Sequence, residues 1–126
     1  MILFIFSCLC TYYEIAKSNY DLYIGSNAPV FVKFYEPTCP HCRAMADELI
    51  LTYEAFDGII FGGINCIEER ALCKSLGVET YPSLGFYKPR SKTMIPYKGE
   101  LSAGAFNKYL EQMTGIVPKQ LPNYFY

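Results

Sequence analysis

The succession of apolar patterns along this chain specifies an α/β sandwich built on a mixed central β-sheet. Three observations carry that expectation. Strand-like and helix-like segments alternate through residues 12–76, the pattern of parallel strands joined by crossover helices. Two more strand patterns then follow each other across a short polar turn, as in an antiparallel hairpin. Finally, 126 residues, 52% of them apolar, suffice for one domain with a real core and not for two.

The elements follow in order. Tyr12–Ala16 is a short strand, and Asn19–Ile24 a short helix that Ser18 or Asn19 can cap. Residues 25–29, Gly-Ser-Asn-Ala-Pro, form a turn. Val30–Tyr35 (VFVKFY) is a nearly continuous β-branched and aromatic run, as in a buried central strand, and Lys33 is its one break. Pro40 suits the first position of the next helix. Met45, Leu49, Tyr53 and Phe56 recur at helical spacing, and Gly58 suits the stop.

Ile59–Asn65 (IIFGGIN) is a second buried strand. Glu68–Leu76 is a shorter helix ended by Gly77. Ser83–Tyr87 and Met94–Tyr97 are the hairpin strands, joined by KPRSKT. Ala103–Met113 is the last helix, with Ser102 as its cap and Phe106, Leu110 and Met113 on one face. Residues 11–113 thus form the domain, in the order β-α-β-α-β-α-β-β-α. Residues 114–126 contain two prolines and read as an irregular tail, whose final Tyr124-Phe125-Tyr126 either docks or frays.

Composition excludes several functions. The charges nearly balance, 11 basic against 12 acidic, so no basic excess is available to neutralise a nucleic-acid backbone. A single histidine, His41, excludes a multi-histidine metal site. Residues 1–10 (MILFIFSCLC) are uncharged and too short to span a bilayer. They fit the apolar part of a secretory signal peptide, with Cys8 and Cys10 at the −3 and −1 positions of a cut before Thr11. No basic segment precedes them, so a buried first strand or a misplaced start site stays open. Cleavage would leave Cys39, Cys42, Cys66 and Cys73, an even set suited to an oxidising compartment.

The chemistry concentrates at Cys39-Pro40-His41-Cys42, between a buried strand and a helix. A helix start presents unpaired N–H groups and a positive end, which favour an anion at Cys39. Two intervening residues bring Cys42 within reach of Cys39, and His41 adds positive or hydrogen-bonding character beside it. A redox dithiol is the reading this favours. The competing reading, half of a zinc site, needs a second pair at suitable spacing, and the six residues between Cys66 and Cys73 fit no usual zinc knuckle.

The segment VFVKFYEPTCPHCRAMADEL resembles the active-site segment of thioredoxin-fold domains in the protein disulfide isomerase family, where FYAPWCGHC is usual. Gly77-Val78-Glu79-Thr80-Tyr81-Pro82-Ser83-Leu84 is similar to that family's GV-x-x-YPT-L, and Tyr97-Lys98-Gly99 to its Y-x-G before the last helix. The resemblance implies a thioredoxin fold. It implies a cis peptide at Tyr81–Pro82, with the Tyr81 backbone pairing an extended substrate strand. It implies thiol–disulfide exchange with cysteine-containing client proteins, and with glutathione or another thiol–disulfide partner, in the endoplasmic reticulum lumen or outside the cell. It calls for no cofactor, no metal, no nucleic acid and no membrane span, and the chain has no KDEL-type ending.

Cys66 and Cys73 share the C-x6-C spacing that forms a structural disulfide in several domains of that family. Such a bridge requires Cys66 to lie in the loop before the helix; two buried free thiols, or a second redox pair that relays electrons, are the alternatives.

The sequence departs from the family in four places. Thr38 stands where Trp is usual, so a large apolar lid is missing. Pro40 replaces Gly, giving the CPHC of strongly oxidising periplasmic members. Lys33 stands where a buried Glu is frequent, and Glu100 where an Arg is frequent. Lys33 either lowers the Cys42 pKa through its charge, acts as a base if burial lowers its own, or reaches out to solvent. A charge-swapped proton relay of Lys33 with Glu100 is one reading of the pair, and two unrelated surface residues the other. Glu36, three before Cys39, is either a loop acid or a charge opposing the thiolate. The overall expectation is a disulfide oxidase or isomerase working through Cys39 and Cys42. A client-binding module with weak redox activity and a cytosolic thioredoxin-like reductase are the alternatives.

Overall fold

The structure is a computed structural model and describes residues 12–120. The signal reading of residues 1–10 and the aromatic end at 124–126 lie outside the described residues. In chain order the elements are β1 (Tyr12–Glu14), α1 (Tyr20–Tyr23), β2 (Val30–Tyr35), α2 (Pro40–Ala55), β3 (Ile60–Asn65), α3 (Arg70–Ser75), β4 (Ser83–Tyr87), β5 (Ile95–Pro96) and α4 (Ala103–Thr114).

The sheet is mixed, with strand order β1-β3-β2-β4-β5. β1 and β2 run parallel to β3, whereas β4 is antiparallel to β2 and to β5. The crossover through α2 makes β2 and β3 parallel, and the short connection between β4 and β5 makes a hairpin.

Alternation along β2 builds two cores. Phe31 faces α2 and α4, packing with Met45, Leu49, Phe61, Phe86, Phe106 and Leu110. Val30, Val32 and Phe34 face the other way, onto Ile15, Ile24, Ile64, Cys66, Cys73 and Tyr87. Lys33 shares the Phe31 face, which sets a cation against a nearly apolar layer. Two glycines of β3 make room for neighbours. A Cβ on Gly62 would strike Ile15 Cδ1, and one on Gly63 would strike the Tyr12 hydroxyl and lie 3.1 Å from Lys33 Cε.

Several boundaries differ from the sequence expectation, each for a local reason. α3 starts at Arg70 rather than at Glu68. Asn65 Oδ1 accepts from the N–H groups of Ile67 and Glu68 at 3.0 and 3.3 Å, an Asx turn that keeps residues 66–69 out of the helix. β5 shrinks to Ile95–Pro96, because Pro96 has no N–H to donate. Asn19 precedes α1 without capping it; its Oδ1 accepts from Ala16 N instead, at 2.7 Å.

At the other end, Gly115 closes α4 in the left-handed region (φ 76°). Residues 116–120 are irregular but anchored. Ile116 packs on the core beside Gly58, and Lys119 N donates to Ala55 O at 2.6 Å.

Candidate active site

Cys39 ends the loop after β2 and stands at the N-cap of α2, with Pro40 at the first helical position. Its backbone is extended (φ −78°, ψ 118°), and its Sγ accepts from Cys42 N at 3.1 Å. The sulfur thus takes the role that a Ser or Asp oxygen fills at an ordinary helix start. Cys39 N donates to Glu36 O at 3.1 Å, which fixes the loop entering the helix.

Both thiols are free, and they are unequal. Cys39 is half-buried, while Cys42 is only 4% exposed. Burial pushes the Cys42 thiol up to about 11; its contact with Cys39 and the Glu36 charge push the same way, and a backbone hydrogen bond from Glu36 opposes them. One sulfur is therefore reachable at the mouth of a helix, and the other is kept protonated beneath it.

Opposite the dithiol, the Tyr81–Pro82 peptide is cis, and Tyr81 O lies 4.0 Å from Cys39 Sγ. A groove of about 400 Å³ begins at Pro82 and is lined further by Val78, Thr80, Ser83, Tyr97 and Leu101 among others; neither cysteine of the dithiol lines it. Ser83 Oγ donates to Thr80 O at 2.6 Å and braces the bend that carries the proline. Pro40, His41 and Thr38 are exposed beside Cys39. Among the described residues the His41 imidazole has no hydrogen-bond partner.

Lys33 lies half-buried near Cys42, and both line a cleft of about 130 Å³ with Tyr35, Glu36, Arg43 and Ala46. Its Nζ lies 5.4 Å from the ring centre of Tyr12 and 4.8 Å from that of Tyr35. Burial lowers its proton affinity, while the charges of Glu14 and Cys42 raise it. Glu100 is not brought to this place. It is exposed in the loop after β5, where its backbone O accepts from the Tyr97 hydroxyl at 2.6 Å. The carboxylate that faces Lys33 belongs to Glu14, held by the hydroxyls of Tyr12 and Tyr35 at 2.6 Å each. Sequence reasoning missed Glu14, because the register of a three-residue edge strand cannot be read from its residues.

Cys66 and Cys73 are bonded to each other (S–S 2.04 Å, Cα–Cα 5.8 Å) and buried in the second core. The Asx turn at Asn65 is what places Cys66 ahead of α3 rather than inside it. Among the described residues no group of three or more His, Cys, Asp or Glu could hold a metal ion, and no helix is long and apolar enough to cross a membrane.

Comparison with known proteins accords with this geometry. The thioredoxin family model matches residues 11–112. Protein disulfide-isomerase erp38 of Neurospora crassa is 31% identical over 108 residues, covering 82% of this chain and 29% of that protein. Protein disulfide-isomerase of Humicola insolens is 33% identical over 99 residues, 77% of this chain and 19% of that one. The chain thus spans less than a third of either relative. Among solved structures, the J-Trx1 fragment of ERdj5 superposes with a TM-score of 0.75 at 28% identity, over 82% of this chain and 50% of that one. A dithiol at the mouth of a helix, a cis-proline facing it and a family match across all nine described elements lead to one conclusion: the chain belongs to the thioredoxin family, and within it is similar to the disulfide isomerases.

Proposed function

We propose that this domain is a thiol–disulfide oxidoreductase acting on cysteines of client proteins through Cys39 and Cys42. The observation that carries the reading is the inequality of the two thiols, one accessible at a helix N-terminus and one buried and protonated. In the reducing direction the Cys39 thiolate attacks a client disulfide. A mixed disulfide forms and one client thiolate leaves. Cys42 then attacks Cys39 Sγ, releasing the second client thiol and closing the Cys39–Cys42 disulfide. The oxidising direction is the reverse, and glutathione or another thiol–disulfide couple resets the pair.

In this reading His41 adds hydrogen-bonding character beside Cys39, and Pro40 stiffens the turn between the sulfurs. The Tyr81 backbone pairs with an extended client segment in the groove beside Pro82. The Cys66–Cys73 bridge staples the second core. We assign the domain to an oxidising compartment, the endoplasmic reticulum lumen or the extracellular space; a buried structural disulfide and the kinship with disulfide isomerases support that assignment.

Two measurements test the proposal. A Cys42→Ala variant incubated with a partly oxidised cysteine-containing protein should accumulate a mixed disulfide through Cys39, and Cys39→Ser should accumulate none. Equal trapping by both variants would sink the assignment of roles. Equilibration with glutathione should give a potential near about −120 to −180 mV, as in oxidising members of this fold, whereas a value near roughly −270 mV would make the domain a reductase.

A further inference from the structure

β1, β3 and β2 are in parallel register, and one row across them reads Glu14, Gly63, Lys33. Residues in register on adjacent strands face the same side of the sheet. The middle member has no side chain, and that matters here. A Cβ at Gly63 would lie 3.1 Å from Lys33 Cε and 3.2 Å from Glu14 Oε2, so both side chains lean into the space above the glycine. Tyr12 and Tyr35 flank this space from the two outer strands. Each donates its hydroxyl to Glu14 at 2.6 Å, and each turns its ring toward the Lys33 ammonium. The far side of Lys33 opens on the cleft it shares with Cys42, which is large enough to admit water.

We propose that Glu14, acting across Gly63, keeps Lys33 an ammonium facing Cys42, and that this ammonium assists the resolving thiol to ionise. Lys33 and Glu14 are then positioning residues for the second half of the exchange, and the inference rests on the resolving role proposed above for Cys42. The step balances without a further reactant. Cys42 gives up its proton as its sulfur attacks Cys39; the Cys39–client bond breaks as the Cys39–Cys42 bond forms. The leaving client thiolate takes up a proton in its turn. Burial alone would favour a neutral lysine and a neutral thiol. The Glu14 charge opposes the first, and a charged Lys33 opposes the second.

Other groups near Lys33 are Tyr53 and Arg43 of α2 and Glu36 of the preceding loop. Arg43 and Glu36 stay in place in every variant below, so their fields cancel in the comparison.

The test follows the thiolate fraction of Cys42 near neutral pH, well below its own titration, read as the alkylation rate relative to the high-pH plateau in a Cys39→Ser background. Lys33→Met should lower that fraction about tenfold, the effect of losing a nearby opposite charge. Glu14→Gln should lower it too. In a Lys33→Arg background Glu14→Gln should have no effect, because a guanidinium stays charged without help. An unchanged fraction in Lys33→Met would overturn the proposal. So would an equal loss from Glu14→Gln with Lys33 intact and in the Lys33→Arg background, since a purely structural Glu14 would act on both. If Lys33→Met fails to fold, Lys33→Gln removes the same charge and decides. None of these readings needs client turnover, so failure of the oxidoreductase assignment would show separately, as a dithiol that captures no client.

Discussion

Among single residues, the position of each sulfur relative to solvent and backbone governs the site. Cys39 is placed by an extended N-cap conformation that any sequence could adopt, but Pro40 next to it commits the chain to helix from that point. Cys42 is three residues further on, one turn into α2, and the helix turns it inward, where it is buried. Its thiol shifts from an ordinary 9.0 to about 11. The sign of the consequence for stability is clear. A thiol whose affinity for its proton is higher in the folded state stabilises the fold while it is protonated in both states. That contribution is complete below about pH 9 and is lost as pH rises towards about 11. In the oxidised protein Cys42 does not titrate. Half-buried Tyr12 and buried Tyr87 act in the same direction, but in both redox forms. Denaturant unfolding of both forms at about pH 8 and about pH 10.5, on either side of the ordinary thiol value, should therefore show the reduced form losing more stability than the oxidised one. An equal loss would mean that Cys42 is not protected by burial.

Among the elements, short side-chain turns decide geometry that periodicity leaves open. The hydrophobic pattern of residues 68–76 is that of a helix, and the chain does form one. Its first turn is delayed by Asn65, and that delay brings the Cα atoms of Cys66 and Cys73 to 5.8 Å. Within a regular helix, positions seven apart would be about 10 Å apart and unbridgeable. Removing the bridge by Cys66→Ala with Cys73→Ala should cost about 2–3 kcal/mol in urea unfolding, as expected for closing a short loop. Cys39 and Cys42 should still alkylate as two free thiols. A loss below about 0.5 kcal/mol would show that packing around the two sulfurs, not the bond, carries their contribution.

Across the molecule, two cores share one sheet and the segment after α4 locks one of them. Ile116 rests against the core beneath α2 and α4, and Lys119 N is bonded to the last helical residue of α2, Ala55. A Lys119–Asp57 ion pair at 3.4 Å adds little, since both groups are about half exposed or more. The stabilising part is therefore apolar. Ile116→Ala should lower stability by about 1–2 kcal/mol, the lower range for a large-to-small change at a half-buried site, whereas Lys119→Ala should stay within about 0.5 kcal/mol. Thermal unfolding of the two variants checks the order; a larger effect from Lys119 would reverse the assignment.

The order of elements, the mixed sheet and the identity of the dithiol were all legible from residues alone. Each of these rests on local signals: β-branched runs, helical spacing, and the Cys-Pro-His-Cys segment at a strand-to-helix junction. Lys33 was conspicuous for the same reason, as a cation inside an apolar strand. Its acidic neighbour was not legible. Glu100 lies close to the family's marker residues in sequence, yet in space it belongs to the exposed loop after β5. Glu14 comes from the edge strand β1, and only parallel pairing through β3 sets it in one row with Lys33. Pairing register depends on side chains packed from three separate segments at once, and the empty place above Gly63 exists only once those segments meet. Folding in three dimensions therefore chose which charges face the buried thiol, because electrostatic neighbours are set by distance through space, and distance along the chain carries no record of it.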